Sequence, residues 1–206
     1  MKSKTQQFWD KQAPKYDYSE RQFAPVFQDV IIRTRKCLTA EDKVLDFGCA
    51  TGTKTIEITD SVKHIHGLDI SSEMVNEANR KIKERNFKNI TCTQGDIFDN
   101  NFKVASFDKI ISYGVIHLLN NSDEVIRRLH DLLKPKGLFI STTACLKDKM
   151  AFKNSLEFNA FLLIKKLGIF PLHLNMFKPK DVERIIIKAE TIFHGITISF
   201  IIAKKE

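Results

Sequence analysis

The run Val44-Leu45-Asp46-Phe47-Gly48-Cys49-Ala50-Thr51-Gly52 constrains the fold more than any other stretch of this chain. It reads as a short buried strand ending in an acid, followed at once by a glycine-bearing turn. A tight turn at a strand's carboxyl end lets a ligand approach the backbone closely, because glycine removes the Cβ and permits φ > 0. Alanine stands between the two glycines, and Ala50 cannot take φ > 0 without strain. Thr53 to Thr59 then leaves room for one short helix. Its β-branched residues are poor helix formers, and only the strand–loop–helix arrangement calls for a helix there.

The rest of the chain repeats this alternation. Val44–Phe47, His64–Leu68, Ile90–Thr93, Phe107–Ser112 and Leu138–Thr142 read as strands. Helix-like runs near Ser72–Arg85 and Ser122–Lys134 lie between them, as in a parallel α/β sheet. Ser71 is placed to cap the first of these helices, with Glu73 favourable in its opening turn. Asn121-x-x-Glu124 approximates a capping box for the second, and Lys134-Pro135-Lys136-Gly137 turns the chain into the next strand. Upstream, Gln6–Ala13 and Pro25–Lys36 look helical, with Pro14 ending the first. Downstream, Lys149–Leu167 carries the stripe Phe152, Leu156, Ala160, Leu163 and Leu167. Phe158, Phe161, Leu162 and Ile164 widen that apolar surface beyond one face. Pro179–Lys188 can form a helix, and Glu190–His194 with Ile196–Ala203 suggests a terminal antiparallel hairpin.

Composition narrows the class. The 206 residues, 43% of them hydrophobic, can bury a large core and exclude general disorder. No apolar run reaches transmembrane length, and Met1–Asp10 lacks the apolar centre of a signal peptide. Cys37, Cys49, Cys92 and Cys145 are scattered without a C-x-x-C, so neither a zinc knuckle nor a disulfide framework is expected. The plain expectation is a cytoplasmic, reduced protein. The net charge of +8 could serve nucleic acid, anionic lipid or an acidic substrate. The lysines are dispersed, however, with no basic arm or aromatic–basic interleaving, so a solvated lysine-rich surface is expected and nucleic acid is a weaker candidate.

Five signatures follow in order: Phe8-Trp9-Asp10…Ala13…Tyr16-Asp17, the Asp46–Gly52 loop, Gly67-Leu68-Asp69-Ile70-Ser71, Gly95-Asp96-Ile97-Phe98, and Phe107-Asp108 through Tyr113…His117-Leu118. Leu133-Lys134-Pro135-Lys136-Gly137-Leu138 adds a sixth. Together they resemble class I S-adenosylmethionine (SAM) dependent methyltransferases, especially the group acting on small molecules and quinones. The resemblance spans about residues 8 to 143 and the terminal hairpin; 146–178 matches nothing diagnostic. The NAD fingerprint G-x-G-x-x-G fits worse, since Thr53 would replace its last glycine.

The resemblance implies roles for residues in this sequence. Asp69, roughly 20 residues beyond Gly48, is spaced to reach ribose hydroxyls. A carboxylate accepting both hydroxyls makes charge-assisted bonds. Ile70 and Met74 would sandwich the adenine, and Asp96 with the Ile97 backbone would read its amino edge. Gly48, Ala50 and Gly52 would receive the methionine portion, and Asp46 would organise the loop and meet the ammonium group. Tyr16 would close over the cofactor, and Ser112 joins the same cofactor-binding set. His117 follows a strand end where an acceptor would sit and is the candidate catalytic residue, against a purely structural reading. Tyr16 and Trp9 could equally just pack. His64 and His66 share a strand face but lack further spaced ligands, so no metal is expected. Asp108 belongs to the fold.

These readings imply a Rossmann-like, doubly wound, seven-stranded α/β sheet with a C-terminal antiparallel hairpin. They treat 1–206 as one SAM-binding domain, with 1–36 as a helical cover and 146–178 as a helical lid insertion. The expected reaction is methyl transfer to an O, N or C nucleophile of a small, partly apolar molecule, yielding S-adenosylhomocysteine (SAH). The alternatives are RNA methylation and SAM binding without transfer. Oligomeric state is not readable.

Overall fold

The computed structural model describes residues 2–99, 102–144, 189–194 and 198–205. Seven strands form one sheet: β1 (Lys43–Phe47), β2 (His64–Asp69), β3 (Ile90–Gln94), β4 (Phe107–Tyr113), β5 (Leu133–Ala144), β6 (Ala189–His194) and β7 (Ile198–Lys204). Their order is β3-β2-β1-β4-β5-β7-β6. The first five pair in parallel, and β7 runs antiparallel between β5 and β6. The terminal hairpin read from the sequence is therefore present. The order reverses at β1, whose neighbours are β2 and β4, so a crevice opens at the carboxyl ends of these strands.

Strand alternation covers both faces. Val44, Ile111, Tyr113, Ile140 and Phe200 pack with Val30 and Ile31 of α2 (Ala24–Arg35). Leu45, Phe47, Ile110, Phe139 and Ile201 pack with Val125, Leu129 and Leu132 of α5 (Ser122–Leu132). Being hydrophobic on both sides is what makes these strands read as near-continuous apolar runs.

Between β1 and β2 the expected short helix is α3 (Thr53–Glu57), followed by a 3₁₀ turn at Thr59–Ser61. The helix α4 (Ser72–Glu84) links β2 to β3, and the Ser71 hydroxyl caps it by accepting the Met74 N–H at 3.2 Å. Ala105 and Lys136 take positive φ in the connections around β4 and β5.

Three local expectations need correction. The first helix does not stop at Pro14: α1 (Lys4–Glu20) continues through it. An internal proline costs about 3 kcal/mol, and here contacts with α4 flank it on both sides. Asp10 accepts the Ser71 hydroxyl at 2.7 Å, and Asp17 pairs with Lys81. The Asn121/Glu124 box is not formed either, because the Asn121 amide donates to the Glu124 carboxylate at 3.2 Å rather than capping the backbone. Finally, the Lys134–Gly137 turn is absorbed into β5 as an irregularity. Leu133 pairs with Phe107, Leu138 pairs with Lys109, and Lys136 takes φ 64°. The proposed lid at 146–178 and the helix at Pro179–Lys188 lie outside the described residues.

Candidate active site

The loop after β1 is built around three left-handed residues. Gly48 has φ 78°, and a Cβ there would lie 2.3 Å from Val115 Cγ2. Glycine is required at that position for both conformation and space. Gly52, at φ 71°, precedes α3, and a Cβ would meet the Ala78 Cβ at 3.0 Å. Ala50 lies between them at φ 46°. The left-handed conformation that alanine disfavours is therefore adopted, and the strain is held in place by a specific bond. The Ala50 N–H donates to Asp69 Oδ2 at 3.0 Å.

Asp69 ends β2, and its other oxygen accepts the Ser71 N–H at 2.9 Å. Burial raises its pKa, while the N–H groups of Ser71, Ala50 and Ile70 oppose the shift. Each oxygen retains a lone pair beyond its backbone bond. Asp69 lines a cavity of about 120 Å³ together with Ile70, Met74, Gly48, Ala50 and Tyr16. That volume joins one carboxylate acceptor, two apolar walls and a glycine floor, a donor set that fits a nucleoside. Gly95 also reaches this cavity, but Asp96 and Ile97 do not line it. Asp96 is exposed and turns back to accept the Phe98 N–H at 3.0 Å, while the Ile97 side chain is in the core and its carbonyl accepts from Arg128.

A second cavity, of about 510 Å³, lies on the α2 side and shares Tyr16, Gly48, Ala50 and Tyr113 with the first. Asp46 lines it. Burial pushes the Asp46 carboxyl up to about 6, against the Thr55 hydroxyl that donates to it at 2.6 Å. Strand alternation separates Tyr113 from its neighbour: Tyr113 faces α2 and bonds the Thr34 hydroxyl at 2.7 Å, whereas Ser112 faces the other way. Ser112 is fully buried, lines neither cavity, and its hydroxyl has no partner among the described residues.

His117 sits in a 3₁₀ turn, Ile116–Leu118, whose neighbours Val115 and Leu118 line the smaller cavity although His117 does not. Its Nδ1 is buried without a partner among the described residues, and burial lowers the ring pKa to about 4. It is therefore a neutral imidazole at physiological pH. His66 bonds the Thr93 hydroxyl at 2.8 Å and stands edge-on to Phe102. Among the described residues no group of three or more potential ligands could hold a metal. Asp108, at the opposite end of β4, accepts the Lys43 N–H at 2.9 Å and Lys134 Nζ at 2.7 Å, so it ties strands together as expected.

Above both cavities lies α1, fastened at two points. Asp10 sits on the N-terminus of α4, accepting Ser71 Oγ at 2.7 Å and the Glu73 N–H at 3.3 Å, with Lys2 at 2.7 Å. Burial works to raise its pKa, but these donors together bring it down to about 2. Asp17 accepts the Thr51 hydroxyl at 2.5 Å and the Thr53 hydroxyl at 3.1 Å, and pairs with Lys81. Desolvation of Asp17 is outweighed by these partners, so its pKa falls. Reasoning from sequence did not place Asp17 or Tyr113 in the site. Counting strand parity from Asp46 through its partner Ile111 identifies Tyr113; nothing local marks Lys81 as the partner of Asp17.

This sheet, with its glycine loop and an acid ending β2, defines a Rossmann-like nucleoside-cofactor enzyme. A family model for the methyltransferase domain matches residues 38–189. An uncharacterised methyltransferase of Oceanobacillus iheyensis is 28% identical over 70% of this chain and 69% of its own. The phosphoethanolamine N-methyltransferase of Plasmodium falciparum is 33% identical over 54% of this chain and 42% of its own. A solved Pyrococcus horikoshii protein superposes with a TM-score of 0.74 at 20% identity, covering 94% of this chain and 96% of that one. The chain belongs to the methyltransferase-domain family and is a class I SAM-dependent methyltransferase. No helix among the described residues is long and apolar enough to cross a membrane.

Proposed function

We propose that this methyltransferase acts on a small, partly apolar acceptor, with the smaller cavity holding the nucleoside of SAM. One observation carries the reading: two cavities share the wall of Tyr16, Gly48, Ala50 and Tyr113, with Asp69 in one and Asp46 in the other. SAM supplies an activated methyl on sulfur, leaving as SAH once the S–CH₃ bond has broken and the bond to the acceptor has formed.

The chain's own residues bind and align. Asp69 accepts ribose hydroxyls with its remaining lone pairs, and Ile70 and Met74 pack the base. Gly48 and Gly52 keep the loop backbone open to the amino-acid end, which Asp46 approaches from the α2 side. Tyr16 and Trp9 on α1 exclude water, which a transfer aligned to roughly 3–3.5 Å requires. A neutral His117 would accept a proton only if the acceptor arrives protonated and the imidazole turns toward the cavity. Asp96 and Ile97 have structural contacts that account for them, Ser112 lines neither cavity, and none of the three takes part in this reading. The small-molecule class is supported by the Plasmodium relative's acceptor.

The test is calorimetric SAH binding to wild type and Asp69→Ala, combined with tritiated-methyl transfer from SAM into metabolite, lipid and RNA extracts. Loss of a charged hydrogen-bond acceptor costs about 1.5–3 kcal/mol, roughly ten- to a hundredfold in affinity. Equal affinity in the two proteins would remove Asp69 from the site. Label in RNA alone would overturn the small-molecule reading.

A further inference from the structure

We propose that the larger cavity is the acceptor chamber, and that it selects an uncharged, largely apolar molecule. This rests on the smaller cavity being the nucleoside site. A cofactor whose ribose lies on Asp69 and whose amino-acid end reaches toward Asp46 must cross the wall that the two cavities share. Its sulfur lies between those two ends by covalent connectivity, so the transferable methyl falls at that wall. The cavity of about 510 Å³ opens on its far side, a volume typical of a small-ligand site.

The chemistry of the lining sets the acceptor class. Ala24, Phe27, Ile31 and Ile32 of α2 supply an apolar wall opposite Tyr113. The charged groups that approach it are already matched. Asp17 pairs with Lys81, and Glu20 with Lys54, whose ammonium also lies 3.7 Å from the centre of the Phe27 ring. Arg35 pairs with Asp60 and donates to the Glu57 carbonyl. The charged liners outside these pairs are Arg21 and Glu57, both exposed, with the Arg21 guanidinium 5.7 Å from the Tyr18 ring centre, and Asp46, which accepts the Thr55 hydroxyl and which the cofactor's ammonium group would occupy in the proposed reading. An ionic acceptor would give up its hydration inside the chamber without meeting an uncommitted counter-charge, a strong penalty in an apolar setting. A neutral ring system or chain loses little and gains contact area. Selection thus acts through α2 and the sheet face beneath it.

The experiment compares two fluorescent probes with the same rings, neutral phenylnaphthylamine and anionic anilinonaphthalenesulfonate, titrated into SAH-loaded protein. Gln28→Trp and Ala24→Trp place bulk into the chamber from exposed positions on α2, where folding is least disturbed. The neutral probe should bind wild type and weaken about tenfold or more in at least one tryptophan variant, with SAH affinity held within about twofold. Any sulfonate signal should be the same in wild type and both variants. Neutral-probe binding that is absent, or unchanged by both tryptophans while SAH still binds, overturns the chamber alone. Sulfonate binding as tight as that of the neutral probe, and lost in the same variants, overturns its selectivity. If wild type takes up no SAH, the cofactor reading fails and this proposal fails with it.

Discussion

Replacing Ala50 by glycine should stabilise the protein, although glycine substitutions ordinarily destabilise. An L-residue in the left-handed region costs about 1–2 kcal/mol relative to the right-handed basin, and Ala50 sits there at φ 46°. Glycine removes that cost. It also enlarges the conformational freedom of the unfolded chain, which takes back about 0.4–1 kcal/mol. The Ala50 methyl is only half-buried, so the packing lost with it is a minor deduction. The bond that holds the loop survives, because the backbone N–H rather than the side chain donates to Asp69 at 3.0 Å. The net gain is about 0.5–1 kcal/mol, or roughly 1–4 °C in Tm for a domain of this size. Lys83→Gly, in the last turn of α4, provides the contrast and should cost about 0.5–1 kcal/mol. Urea unfolding and thermal melts of the two variants beside wild type measure both, with SAH calorimetry reporting whether the loop still binds. If Ala50→Gly loses as much stability as Lys83→Gly, the loop is not held in the left-handed conformation and the strain argument is refuted.

Gly48→Ala should be strongly destabilising, by several kcal/mol from φ and overpacking together, and Val115→Ala should recover part of the loss by removing the methyl 2.3 Å from the new Cβ. No recovery in denaturant unfolding of the double variant would mean that conformation alone carries the cost. Burial lifts the folded Asp46 carboxyl to about 6 from the ordinary 3.8, so its burial penalty appears as pH rises between those values. The stability of Asp46→Asn relative to wild type should therefore improve by about 1.4 kcal/mol from pH 5 to pH 8; a pH-independent difference in urea midpoints would contradict the raised pKa. Asp17→Asn leaves Lys81, only 9% exposed, without its counter-charge. With Asp17 itself partly solvated, a loss of about 1–2 kcal/mol in stability and faster SAH release in stopped flow are expected. Unchanged release would detach this contact from cofactor exchange.

Most of the fold was legible because its strands are buried on both faces and punctuated by glycine-bearing turns. Val44–Phe47 and the loop after it carried the topology, and the Ser71 cap followed from local hydrogen-bonding chemistry. Where local rules failed, a distant contact had won. Pro14 should end a helix, yet α1 runs through it because Asp10 and Asp17, on either side, are held by Ser71 and Lys81 some sixty residues away. Asn121 should cap a helix, but a nearby carboxylate took its amide.

The candidate site divides along the same line. Gly48, Gly52 and Asp69 are recognisable from spacing because their roles depend on backbone geometry at strand ends. Ser112 and Tyr113 are adjacent in sequence, and no motif separates a buried serine from a tyrosine shared by two cavities. Parity does: residues paired across parallel strands face the same way, so Asp46 and Ile111 point toward α2, Tyr113 follows Ile111 by two, and Ser112 must point toward α5. In the proposed reading, loop motifs mark the nucleoside end, while strand register decides which side of the sheet can line the larger cavity. Tyr113, bonded to Thr34 of α2 and shared by both cavities, connects the two. Any acceptor bound against α2 is therefore shaped by the same sheet face that buries Asp46.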